Sequence, residues 1–506
     1  SRRRHTRWNC SSRGLGDVYK RQAQLLDGLD DRFRTLSGGR RRQRRGTLEA
    51  TIDWSYELLD PDEQRVFRAL GVFVGPFDVE AVAAVSDLPV PEATDVLEVL
   101  LARSLIVPSS ISRRFRLLET LKAYAERALD SAGEATRVRE LHCAHFRGLG
   151  RVDALLEAWQ LDRCVMLLPD LANLLLAADW LESHRRWEEL AEHLFGIAFV
   201  SGEDAGAMLG RLERCKRRAV HQHHIDDLSH AAIFTTMALA DWTAYIEATA
   251  ELRKSPNPVT VAFGYLYLAL VTARHAPHDA HSMIDRFADL AGDDATGDHA
   301  DHAVFWRSMV EAMSGDLHTA AGLAMRVADR PVGRTSLGLN AQMIIGAAAW
   351  ADGDSAPLAS VADAFKTVDR DTGRLDPYYE TTVGFAHGLV LLMSGDLDAA
   401  RLALRHQARD AVSGRVALVD GDALGLLAEL ARLEGDDDRA RDLIMSTGAG
   451  RSPATVGVLR TIAERLGVGD RLQQEYRDHV FDQEWLAQRP RVALERELER
   501  RSWLAD

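Results

Sequence analysis

A Gly-Asp dipeptide that returns about every 40 residues constrains this chain more than any other feature. It stands at Gly315-Asp316, Gly353-Asp354, Gly395-Asp396 and Gly435-Asp436, within MSGDLHTAA, ADGDSAPLA, LMSGDLDAA and LEGDDDRAR. Glycine takes the left-handed conformation that ends one helix. The aspartate then accepts backbone N–H groups at the start of the next. Small residues a turn later (Ala320, Ala400, Ala440) let paired helices approach closely, whereas the unit at Gly353 carries Leu358 there. This period belongs to stacked helical hairpins, so the expected fold is mainly α with a tetratricopeptide-like solenoid. YLYLALVTARHAPHDAHSMIDRFADLAG reads as an earlier, divergent pair of the same series.

Ahead of the repeats, residues 47–132 follow another plan. Thr47 is expected to cap a helix whose apolar positions are Leu48, Ile52, Tyr56 and Leu59. Asp60-Pro61 restarts the chain as N-cap and first helical residue, and that helix runs to about Leu70. VEAVAAVSD forms a third helix and Pro91–Ser104 a fourth. LIVPSS and RRFRLLE then read as a short β-hairpin about a polar turn, and a last helix begins at Glu119. Helices followed by a two-stranded wing make a winged helix, a variant of helix-turn-helix.

The sequence divides into 1–22, 23–46, 47–132, 133–200 with linker helices, 201–480 with the repeats, and 481–506 as a charged capping helix. Residues 1–22 lack caps and periodicity and resemble translated adaptor sequence from metagenomic contigs, so they are expected to be foreign to the natural protein. The rival reading is a basic nucleic-acid-binding arm. On the adaptor reading the chain is a piece of a longer one. Residues 23–33 form a short helix, and LSGGRRRQRRG is a basic linker, read as a solvated loop rather than a phosphate site.

Composition narrows the function. A formal net charge of −14 argues against broad adhesion to nucleic acid. No apolar run is long enough to span a bilayer, so no membrane partner is expected. Cys10, Cys143, Cys164 and Cys215 have no CxxC spacing, and idle thiols in a cytoplasmic protein are expected. A phosphate loop needs GxxxxGK[ST], yet none of the five lysines follows a glycine. The chain is therefore expected to hold no ATP site and to be no enzyme.

The stretch LDDRFRTLSGG…TLEATIDWSYELL…QRVFRALGVFVGPFDVEAVAAV…LEVLLARSLIV…RFRLLETLKAYAERAL resembles bacterial signal-transduction ATPases of the STAND class, related to NB-ARC and AP-ATPase proteins. That class includes LuxR-type transcriptional regulators and regulators with adenylate-cyclase-like domains. PDLANLLLAADWLE is similar to the linker helix that leads into the family's tetratricopeptide-like sensor. The resemblance covers residues 25–190 and implies a P-loop domain upstream, with ADP or ATP bound there, and the winged helix as an intramolecular switch. Its implied partners are that ATPase domain and a protein or small-molecule signal in the solenoid groove.

Where related ATPases place a His-Asp pair near ADP, this chain has Glu119-Thr120. Glu119 is read as a helix cap, and a nucleotide-sensing role for Arg116, Glu119 or Thr120 in the longer protein stays open. No catalytic residue and no metal ligand is assigned. HQHHIDDLSH reads as a solvated helix end and AGDDATGDHADH as a solvated loop. VALVDGD reads as the start of a repeat helix. For DNA, Pro91–Ser104 would be the reading helix, but it sets Glu92, Asp95 and Glu98 against Arg103 alone. The wing supplies Arg113, Arg114 and Arg116. Partner-domain packing is therefore preferred to DNA contact.

Overall fold

The computed structural model describes residues 44–111, 113–151, 166–198, 205–239, 241–273, 276–292, 298–328, 338–359, 377–412, 419–447, 453–479 and 483–498. The segment 1–22, the short helix 23–33, most of the basic linker, Cys10 and Cys164 lie outside them. The described chain forms two compact units: the first holds 44–150 and 169–185, and the second holds 151, 166–168 and the described residues from Arg186 on.

In the first unit, α1 spans Arg44–Glu57, α2 Pro61–Ala69, α3 Val79–Ser86 and α4 Val90–Ala102, with a 3-10 turn at Leu70–Val72. Strands β1 (Val107–Pro108) and β2 (Phe115–Arg116) are antiparallel, with Val107 opposite Arg116 and Pro108 opposite Phe115. α5 is Glu119–Ser131, α6 Ala135–Gly150 and α7 Leu171–Ser183. This is a winged helix with two further helices packed on it.

Local chemistry sets these boundaries. Asp60 accepts the N–H groups of Asp62 and Glu63 at 2.9 and 2.8 Å, and Glu63 accepts that of Asp60 at 2.9 Å. This reciprocal capping box contributes about 1 kcal/mol. The expected cap at Thr47 is corrected: α1 already begins at Arg44, so Thr47 is inside it and the linker's last residues are helical. The wing is also wider than a hairpin, because Phe77 and Phe115 exchange backbone hydrogen bonds of 2.9 and 2.8 Å. Phe67, Leu70, Phe77, Leu100 and Ile106 are fully buried beneath it.

α6 and α7, read from the sequence as linker, share the winged-helix core. Leu174, Ala177, Ala178 and Leu181 have no exposed surface, and the Cys143 thiol of α6 meets the Ala177 carbonyl.

The second unit is helical throughout its described residues. Its helices are α8 (Trp187–Ile197), α9 (Ala205–Lys216), α10 (Gln222–Leu239), α11 (Trp242–Leu252), α12 (Pro258–Thr272), α13 (Pro277–Ala291), α14 (Asp298–Ser314), α15 (Leu317–Val327) and α16 (Gly338–Ala351). Residues 356–359 are helical, and α17 (Pro377–Ser394), α18 (Leu397–Val412), α19 (Val419–Leu433), α20 (Asp437–Met445), α21 (Pro453–Arg465), α22 (Gly469–His479) and α23 (Gln483–Leu498) follow. Successive helices pack in pairs, the divergent α12–α13 pair included, and the first helices of neighbouring pairs from α12 to α21 also touch. That is the tetratricopeptide-like solenoid.

The Gly-Asp elbows are formed as the dipeptide dictates. Gly315, Gly353, Gly395 and Gly435 have φ of 101, 89, 76 and 83°. Asp316, Asp354 and Asp436 donate their N–H back to Glu311, Ala349 and Ala431, five residues earlier, which closes the ending helix as a Schellman motif. Each of the four aspartates then accepts an N–H two or three residues on, at 2.9 to 3.1 Å. One residue thus ends a helix and caps the next. α21 departs from an open solenoid: it packs not only on α19 but also on α14 and α16.

Candidate interaction site around the wing

The family-like motifs converge in space. Tyr56 of TIDWSYELL, Phe67 of QRVFRAL and Tyr124 of LKAYAERAL form one aromatic cluster with ring centroids 5.5 to 6.3 Å apart. Arg68 donates to the Tyr56 hydroxyl at 2.8 Å and grips Glu134 with two bonds of 2.8 and 3.0 Å. Those bonds hold the Glu134 carboxyl below the usual carboxylate range, against some burial. Trp54 and Leu58, one turn apart in the same motif, face outward with 64% and 48% of their surface exposed.

A second polar seam joins the wing to α7. Arg114 donates to both oxygens of Asp170 at 2.5 and 2.7 Å, and lies 3.3 Å from Asp78, the N-cap of α3. The Arg114 side chain is 11% exposed and that of Asp170 4%. Burial pushes the Asp170 carboxyl up while the guanidinium pulls it down. His145 of α6, in the field of the same groups, is lowered chiefly by burial. Three residues on, Asn173 accepts the Val74 N–H at 3.1 Å and donates to the Pro76 carbonyl at 3.3 Å. α7 therefore holds both the wing and the strand-like turn before α3. Arg114, one of the three wing arginines weighed for DNA contact, is turned inward, where a buried carboxylate fits its fork.

Asp170 and Asn173 were missed as functional residues. Within PDLANLLLAADWLE the polar residues divide: Asp170 and Asn173 are 3% and 0% exposed, whereas Asp179 and Glu182 are not buried.

Arg116, Glu119 and Thr120 are all exposed near the junction of β2 and α5. Glu119 is the first residue of α5, behind Leu118, and makes no capping hydrogen bond, so its role as a cap is corrected to a first-turn charge. A cleft of about 590 Å³ in this unit is lined by other residues, Gly71, Glu126, Leu129, His142, Asp179 and Trp180 among them. The exposed side of α4 shows Pro91, Glu92, Asp95, Ala102 and Arg103, an acidic surface.

In the second unit, His224 is 5% exposed and paired with Glu188 of α8, with Glu192 at 4.0 Å. The exposed helix start is therefore His221, Gln222 and His223, whereas His224 is turned inward. Among the described residues no group of three His, Cys, Asp or Glu side chains is placed to hold a metal ion. The acidic stretch 291–302 is likewise not all loop: residues 298–302 open α14, and His302 is 1% exposed. The described part of VALVDGD, residues 419–422, opens α19. The described cysteines, Cys143 and Cys215, are buried thiols not joined in a disulfide, and each meets a backbone carbonyl.

Comparison with known proteins adds three relatives and one structure. Residues 59–130 match the winged helix-turn-helix domain family. A Mycobacterium tuberculosis protein named as an HTH-type transcriptional regulator is 46% identical over 129 residues, which are 24% of this chain and 14% of that protein. An uncharacterized M. tuberculosis protein is 31% identical over 132 residues, 24% of this chain and 34% of the other. The regulatory protein AfsR of Streptomyces coelicolor is 39% identical over 79 residues, 15% of this chain and 8% of AfsR. The matched segment thus spans 8 to 34% of these relatives' length. The crystal structure of a STAND protein with a tetratricopeptide repeat sensor from Pyrococcus horikoshii aligns over 92% of this chain and 72% of its own, with 11% identity and a TM-score of 0.33. No helix among the described residues is long and apolar enough to cross a membrane. The segment from 59 to 130 is a winged helix-turn-helix domain.

Proposed function

We propose that this chain is the regulatory and sensing part of a transcriptional regulator of the STAND ATPase type, related to NB-ARC proteins and LuxR-type in kind. Its winged helix is an internal switch that packs against an ATPase domain of the same protein. Its repeats take up a protein or small-molecule signal in the cytoplasm. The chain itself is no enzyme, and ATP or ADP belongs to that other domain. The names of the relatives support a regulator, and the stacked helical pairs support a binding scaffold. The observation that carries the switch reading is the Asp170–Asn173 seam. One helix start, in the segment leading to the repeats, holds the wing and the turn before α3. A signal moves such a switch only by binding one arrangement better than the other.

The match of residues 59–130 to a helix-turn-helix family favours a second reading, direct DNA binding. Against it stand the acidic face of α4 and the inward Arg114. A mobility-shift assay of the full chain on duplex DNA at low and moderate salt separates them. The switch reading expects no retardation at either salt; retardation at both would replace it with the DNA-binding one.

A further inference from the structure

Three arginines, 113, 114 and 116, crowd the wing of a chain whose net charge is −14. Phe115 is buried in the core, so by strand alternation Arg114 and Arg116 share the opposite face. Arg116 is exposed, whereas Arg114 is closed off by Asp170. The carboxylate occupies both arms of the guanidinium fork, the geometry in which a guanidinium takes two oxygens of a phosphate.

We propose that the Arg114–Asp170 pair is an autoinhibitory clasp over a phosphate-binding wing. While α7 is seated, Asp170 fills the fork. When the start of α7 lifts, Arg114 turns outward and joins Arg116 in binding a phosphate oxyanion. This rests on the switch reading above and names what the switch withholds.

Loss of Asp170 leaves a buried cation, which must find water or another anion. Asp78, 3.3 Å away and 29% exposed, is the weaker remaining partner. The acidic surface of α4 keeps base reading out of the interaction, so the recognised group is the phosphate rather than the base edge.

The test uses the full chain as wild type, Asp170→Ala, Arg114→Ala and the double variant. Binding of a labelled random-sequence duplex is followed by anisotropy at low salt, with inorganic pyrophosphate as competitor. Asp170→Ala is expected to bind the duplex at least tenfold more tightly than wild type. The double variant should lose that gain. Competition by pyrophosphate would assign the site to any phosphate group, and its absence to the polymer backbone; both uphold the clasp. Asp170→Ala binding no better than wild type, or a gain that survives Arg114→Ala, would overturn it.

Should Asp170→Ala fail to fold, wild-type hydrogen exchange decides. Excess duplex must speed exchange at the start of α7, because a ligand of the open state favours opening; unchanged exchange overturns the clasp. Wild-type retardation that survives Arg114→Ala counts against the switch reading instead, since the clasp is read from the difference between Asp170→Ala and wild type.

Discussion

Asp227 and His230 stand three residues apart on α10, and burial acts on them in opposite senses. Burial pushes the Asp227 carboxyl up to about 6, opposed by His224, and pulls the His230 imidazole down to about 4. An acid raised in the folded state costs stability once it ionises, so the Asp227 penalty is absent near pH 4 and complete above about pH 6. His230 is neutral when folded, so its penalty appears as pH falls below about 6.5 and is complete below about 4. The two oppose each other across one window and flatten the pH dependence. Asp227→Asn removes one side. It is expected to raise the unfolding free energy by roughly 1–3 kcal/mol at pH 7.5 and by almost nothing at pH 4. Urea unfolding at both values checks this, and an equal gain at both would refute the titration.

At the scale of elements, the irregular repeat unit shows how the solenoid keeps its spacing. Leu358 stands where other units have alanine and is fully buried. Room comes from Gly346 on α16, where an added Cβ would lie 2.6 Å from a Leu358 methyl carbon. Gly346→Ala should therefore destabilise by about 1–3 kcal/mol through overpacking. Leu358→Ala alone should cost about 2–5 kcal/mol through the cavity. The double variant, with two alanines as the contact pair, should cost clearly less than the sum, and a double-mutant cycle by urea unfolding measures that coupling. Gly322 on α15 has open space around it, so Gly322→Ala should stabilise by about 1 kcal/mol through helix propensity alone.

For the second unit as a whole, the organising fact is that α21 has no solvent face over residues 454–460. A helix buried all round is a core helix rather than one layer of an open solenoid. Arg460 donates to the Ser314 carbonyl at the end of α14 at 2.7 Å. The Arg465 guanidinium lies 4.5 Å over the Trp350 ring of α16. Gly457 permits the crossing, since a Cβ there would meet the Ala312 carbonyl oxygen at 2.8 Å and a Leu317 methyl carbon at 2.5 Å. Along residues 298–465, α21 packs against α14, α16 and α19 of the same chain. Gly457→Ala should destabilise this unit by more than about 2 kcal/mol, opposite in sign to Gly322→Ala. Thermal unfolding of the two variants side by side checks the contrast, and a stabilised Gly457→Ala would show that α21 is not so tightly held.

The sequence by itself determined the features that depend on neighbours along the chain. The Gly-Asp elbows, the capping box at Asp60 and the turn of the wing are local, because left-handed glycines and capping carboxylates act within a few residues. It therefore disclosed the helical repeat and the winged helix, but not that α6 and α7 share the winged-helix core. Only the tertiary structure decided which charges are free. Arg114 and Arg116 read alike as wing arginines, yet Asp170, 56 residues from Arg114, turns one inward and leaves the other in water. His224 likewise looked solvated until α8 brought Glu188 to it. Burial and pairing are properties of distant segments meeting, and no local pattern encodes the meeting.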